Sequence, residues 1–424
     1  MFRWIKWIMA SIAALLLLLG GGGLQAEEAA PFFHREPELQ AAFVRKGDLW
    51  IKTGRNEKKV TETGGVLNPK WSADAQWIAY TKGEEQRELW LLHVPTGKNT
   101  RVTESSDINF QWAPDRAELA YQTEQQLLRV PVGSSEPETP VKVADAIGNF
   151  SWLPDGRGFV ASSAAKLQNG WAPMSIVKLS LAGESETLYV LPKPSNEFLA
   201  VATSGFKWSA SGRWMAFLAK PTASLSADSN VLCLLSADGK VFQKVDQMVN
   251  NEQWIQWSPE GDKLAYIGGP GREATSNKHL KVVAVPDGKA VPYTPSGYVD
   301  QGLTWQGTER IIVSRAKEMK APTDGEAEPE TRQKPFPSLV GVKLEGGKDY
   351  PVTLPSTEYG DYQPQSLPSK QLVWVMSDRS YTSHVMTSGP DGKHAFVWIE
   401  NIDLGANYYE QWHWNLVLAV VGSR

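Results

Sequence analysis

Apolar and polar residues follow one another in short runs along most of the chain, and Gly, Pro, Asp or Asn interrupts them every few positions. Runs such as Trp77-Ile-Ala-Tyr80, Leu119-Ala-Tyr121 and Leu264-Ala-Tyr266 predict half-buried strands, with the small Ala suited to a crowded interior. Each is entered from a Trp and a tight turn, as in Trp152-Leu-Pro-Asp-Gly156 and Trp257-Ser-Pro-Glu-Gly261, where Pro presets φ and Gly takes the strained position. A third strand follows, for example Glu88–Val94 or Leu280–Val285. Hairpins such as Pro95-Thr-Gly-Lys98, Ala237-Asp-Gly-Lys240 and Pro390-Asp-Gly-Lys393 then lead to a fourth. The predicted unit is four antiparallel strands.

That unit recurs. Trp71, Trp112, Trp152, Trp208, Trp257 and Trp305 hold the same place in successive copies, and a degenerate seventh copy sets Gln365 there, at intervals of 40 to 60 residues. The pattern predicts an all-β fold, a β-propeller of four-stranded antiparallel blades. Residues 42–52 and 59–61 match the second to fourth strands of a further blade that lacks its inner strand. The C-terminal stretch Tyr408–Val421 is expected to supply it, closing the ring with both ends of the chain. Eight blades are favoured, with seven as the alternative.

The Trp-Ser-Pro-Asp-Gly turns and the strands ending in Ala-Tyr or Ala-Phe resemble the TolB-like, or WD40-like, propeller repeats of exported bacterial proteins, over about residues 41 to 400. The resemblance implies the fold. Propellers of this kind occur in binding proteins and beside the hydrolase domains of prolyl-oligopeptidase-like enzymes, so it implies no single activity.

The N-terminus carries Arg3 and Lys6, the apolar run Trp7–Leu19, four glycines and Leu24-Gln-Ala26 before Glu27. It predicts a signal peptide at 1–26 and a linker at 27–40, hence a periplasmic or extracellular, cell-envelope location. An uncleaved segment would instead make a membrane-anchored sensor. Net charge of -4 gives no footprint for nucleic acid, and the lone Cys233 excludes an internal disulfide. No cofactor motif is present, and a monomer is expected. A serine-hydrolase elbow is absent. His384, His394 and His413, with Glu400 and Glu410, are the residues from which a metal site would have to be built, and their irregular spacing argues against one.

Candidate binding residues come from loop lengths. The connections between second and third strands are short in blades 1 and 2, and long at 163–173, 220–229, 268–278 and 316–337, all on one face because strands alternate direction. The last is a charged, Pro-rich insertion expected to be mobile. Trp171, which the repeat does not explain, Arg272, Glu273, Lys278 and Phe336 are the expected contacts. The expected function is a non-catalytic scaffold for a protein, peptide or cell-envelope ligand. The alternative is a propeller hydrolase or lyase with its site in the central channel or on the loop face.

Overall fold

The computed structural model describes residues 38–319 and 334–422, so the leader at 1–26, most of the linker at 27–40 and the middle of the 316–337 insertion lie outside the described residues. Eight antiparallel blades form the propeller. Blade 1 comprises Val66–Trp71, Trp77–Lys82, Glu88–His93 and Lys98–Thr103, from the channel outwards. Blades 2 to 7 span 110–144, 147–190, 202–248, 255–292, 298–351 and 360–399, with the inner strand of blade 4 in two pieces. Blade 8 joins the chain ends: Leu418–Val420 is its inner strand and pairs with Gln40–Arg45, Ala42 facing Ala419. The seven-blade alternative falls away. Among the described residues no helix is long and apolar enough to cross a membrane.

The second strands are buried on both faces rather than one. Trp77, Ile78, Ala79 and Tyr80 are all inaccessible, as are Leu119, Ala120 and Tyr121. One face packs on the preceding blade and the other on the next, which overrides the expected inside-outside alternation. Outer strands such as Lys98–Thr103 stay mostly polar at the rim, half-buried to exposed.

The repeated tryptophans tie blade to blade. Nε1 of Trp112 donates to the Lys70 carbonyl (2.9 Å), Trp152 to Gln111 (3.0 Å), Trp257 to Lys207 (2.7 Å) and Trp305 to Gln256 (3.0 Å), each on the inner strand of the preceding blade. Trp208 reaches the Trp152 carbonyl, and Trp71 reaches Ala419, so the same bond spans the closure between the chain ends. The seventh copy needs a correction of one residue. Leu367 N–H bonds the Gln371 carbonyl as Ser72 N–H bonds that of Trp77, which puts Ser366, not Gln365, in the Trp place. Among the described residues no indole ties blade 7 back to blade 6. Trp398 instead ties blade 7 forward, to the Gly54 carbonyl of blade 8.

Only the end of the C-terminal stretch is blade. Ala406–Tyr408 and Gln411–His413 form a separate two-stranded hairpin, turning through Tyr409 (φ 52°) and Glu410 (φ 63°). Two positive φ values are those of a type I′ turn, which Asn-Gly normally occupies, so this turn depends on outside contacts.

Candidate active site in the central channel

The residue before each repeat Trp sits on the inner strand and bridges forward to the next blade. Lys70 Nζ donates to the Phe110 carbonyl (2.8 Å), Gln111 Nε2 to Phe150 (3.0 Å), Lys207 Nζ to Ile255 (3.0 Å) and Gln256 Nε2 to Leu303 (2.7 Å). Ser151 and Thr304 make the link by accepting, from the N–H groups of Phe206 and Ser366. An amide suffices for this bond at Gln111 and Gln256. The cations at Lys70 and Lys207 therefore add a charge that the blade contact does not require.

Those ammonium groups are poorly hydrated. Burial pushes Lys70 down to about 8 and lowers Lys207 and Lys220 from the usual lysine range, while the carboxylate of Glu252 acts on all three in the opposite sense. Glu252 Oε1 lies 3.7 Å from Lys220 Nζ and accepts the Gly205 N–H at 3.3 Å. Glu252 is thus the carboxylate common to the three lysines.

The channel opens on the loop face in a polar mouth of about 1020 Å³, bordered by Lys70, Asn109, Asn149, Lys220 and Glu252 on one side and by the C-terminal hairpin on the other. A second cavity of about 490 Å³ lies along the inner strands of blades 1 and 5 to 8. Bulges in three of those strands, at Leu67–Lys70, Asp300–Leu303 and Tyr362–Gln365, are built on positive φ at Asn68, Gly302 and Gln363. Such bulges re-aim side chains, and here the bulged segments bring Gln301, Gln363 and Gln365 to the cavity wall.

The long loops serve the hairpin. Arg272 forms a double ion pair with Asp228 (2.6 Å to each oxygen) and lies 5.3 Å from the centre of the Tyr409 ring. Its carbonyl accepts from Gln411 Nε2 (2.7 Å), and Ala274 N–H donates to the Tyr409 carbonyl (3.0 Å). Lys334 stands 3.9 Å from Glu273 and 3.7 Å from Glu410. Phe336 lies under the Arg379 guanidinium at 4.3 Å, and Arg379 is 3.6 Å from Glu410. Lys278 is fully buried, donates to the Pro270 and Ser276 carbonyls, and is pushed down to about 8 by burial. Trp171 stands apart, bridged to Leu167 within its own loop.

The three histidines fall on separate elements: His384 on the third strand of blade 7, where its Nδ1 accepts the Asn401 N–H, His394 in an exposed turn, and His413 in the hairpin. Among the described residues no group of three His, Cys, Asp or Glu is placed to hold a metal ion. The lysines of the channel were not among the residues expected from the sequence. Their signal was there, because the residue before the repeat Trp reads Lys, Gln, Ser, Lys, Gln, Thr, polar in every copy.

No family model matches the chain, and no curated protein matches it. Among solved structures, dipeptidyl peptidase 4 of Porphyromonas gingivalis is similar over 86% of this chain and 58% of its own, at 10% identity and a TM-score of 0.56. Puromycin hydrolase is similar over 88% of this chain and 55% of its own (12% identity, TM-score 0.49), and TolB from Acinetobacter baumannii over 73% and 65% (15% identity, TM-score 0.35). The chain thus spans little more than half the length of either enzyme. Prolyl endopeptidases and an oligogalacturonate lyase share the likeness. The expectation of a non-catalytic scaffold is corrected, since the peptidase, the one of these with a TM-score above 0.5, is an enzyme. Repeat, sheet order and structural likeness agree on the fold: the chain is an eight-bladed β-propeller of four-stranded antiparallel blades.

Proposed function

We propose that the chain is a propeller enzyme of the hydrolase or lyase class, with its reaction centred on the loop-face mouth of the channel. The observation that supports this best is Lys70, a lysine brought down to about 8 at a position where Gln makes the same blade contact elsewhere in the ring. An amine in that range takes up and releases a proton near neutral pH, which suits a general base. Losing the proton does not break the contact with Phe110, because a neutral amine still donates. Lys220, which borders the same mouth, supplies positive charge for an oxygen that becomes negative during the reaction.

The test compares wild-type protein with Lys70→Gln on a panel of blocked peptide amides, esters and oligosaccharides, with products identified by mass spectrometry. Gln at this position should leave the thermal midpoint in place and lower turnover by about 10²- to 10⁴-fold, the usual contribution of a positioned acid or base. Equal turnover by the two proteins, or no turnover of any class by the wild type, would contradict the proposal.

A further inference from the structure

The row of indoles that ties blade to blade ends at Trp305 and resumes at Trp71, and a cavity of about 670 Å³ opens where it stops. Trp257 and Trp305 each donate to the carbonyl of the residue before the preceding repeat Trp, so the same bond from blade 7 would run to Thr304. Ser366 stands in that Trp place and carries no indole. Ser366 and Thr304 both border the cavity, with Pro368 and Pro390 of blade 7 on one side and Trp208 and Trp257 of blades 4 and 5 on the other. A small side chain where a packed row holds a large ring leaves a space that the neighbours close only in part. The cavity lies among the turns that join first to second strands, on the disc face opposite the long loops.

Its walls offer ring surface and positive charge. Trp208 and Trp257 are half-buried, and their Nε1 groups already donate to the Trp152 and Lys207 carbonyls at 3.1 and 2.7 Å, which leaves ring carbon to face the space. Arg310, which begins the second strand of blade 6, and Lys370, in the first turn of blade 7, are exposed and border the same cavity. Neither forms an ion pair with a described residue. Among the described residues no Asp or Glu lines the cavity. A neutral guest would leave both cations unmatched, and an aliphatic anion would leave the indoles without a flat partner. The guanidinium grips a carboxylate with two parallel N–H bonds, a geometry that suits Arg310. The volume falls within the range of about 300–1,000 Å³ usual for small-molecule sites.

We infer that this cavity binds a small aromatic carboxylate, its ring against Trp208 and Trp257 and its charge toward Arg310 and Lys370. The bound ring stands in for the indole that blade 7 lacks. The site is independent of the reaction proposed for the channel, since Lys70 and Lys220 border a different cavity.

Calorimetric titration of the full chain with 2-naphthoate and indole-3-acetate tests this, with neutral 2-naphthamide and sodium hexanoate as comparisons. At least one aromatic acid should bind saturably and raise the thermal midpoint, as a ligand of the native state does. The amide keeps the ring and loses the charge, and hexanoate keeps the charge and loses the ring. Each should bind at least about 10-fold more weakly. Arg310→Glu should weaken the aromatic acids by about 10-fold or more. Ser366→Trp, which refills the Trp place, should abolish their binding; if that variant does not fold, Lys370→Glu, at an exposed position, takes its place and should weaken them. Lys70→Gln should bind as the wild type does. No saturable binding of either acid, equal affinity for the amide or for hexanoate, or affinity unchanged in Arg310→Glu would overturn the inference. So would binding lost in Lys70→Gln, which would put the anion in the channel mouth.

Discussion

The indole of Trp257 contributes twice, by packing between blades 4 and 5 and by donating to the Lys207 carbonyl at 2.7 Å. Its side chain is half-buried, so its loss should cost less than the ~3–5 kcal/mol of a fully buried aromatic. Trp257→Ala is expected to lower stability by about 2–3 kcal/mol, and Trp257→Phe, which keeps most of the packing, by about 1 kcal/mol for the lost hydrogen bond. Denaturant unfolding of both variants checks this; equal losses would mean that the N–H, and not the packing of the ring, holds the blades. The Trp position was legible in the chain because one mechanical task recurs at every blade interface. Its absence from blade 7 was legible too, but the place was miscounted by one, since Leu367 to Gln371 spans one residue fewer than Ser72 to Trp77. Lys70 and Lys207 went unread for a different reason. The polar position beside each repeat tryptophan is visible in the chain, but that it faces a channel is not until the strand is placed.

At the scale of elements, the hairpin formed by Ala406–Tyr408 and Gln411–His413 explains what the long loops of blades 4 to 6 hold. Its turn places Tyr409 and Glu410 at positive φ, which costs a non-glycine residue conformational energy that the Arg272, Ala274 and Lys334 contacts must offset. Gln411 is the most buried polar side chain among these links, 2% exposed, whereas the Arg272–Asp228 pair is partly in water and contributes little. Gln411→Ala is therefore expected to cost about 1–2 kcal/mol. It should also speed amide hydrogen exchange selectively within 406–413, leaving the blades protected. Exchange that quickens across the whole ring would show that the hairpin is part of the propeller core. The sequence showed a β-rich, aromatic C-terminus but no Asn-Gly or Asp-Gly, so one long strand was the natural reading. The loop lengths were read correctly as a single elaborated face, and their partner within the same chain was not visible without the fold.

For the whole molecule, eight blades leave a channel wide enough to hold a polar mouth and a second cavity, and ring closure by Leu418–Val420 leaves no unpaired inner edge. Fold class, blade count and closure by both chain ends all follow from periodicity, which is a local property repeated. The site does not, because it is assembled from single residues of blades 1, 4, 5, 6 and 7 that meet only on the ring axis. The claim that this axis is where chemistry occurs rests on Lys70 and its pKa of about 8. A base works in its unprotonated form, so kcat/KM for whichever panel substrate is turned over should climb as pH rises through about 8 and then level off, and Lys70→Gln should lack that limb. Measured pH profiles of the two proteins test this most directly. A rise through pH 8 that persists in Lys70→Gln, or a flat profile in the wild type, would contradict the account.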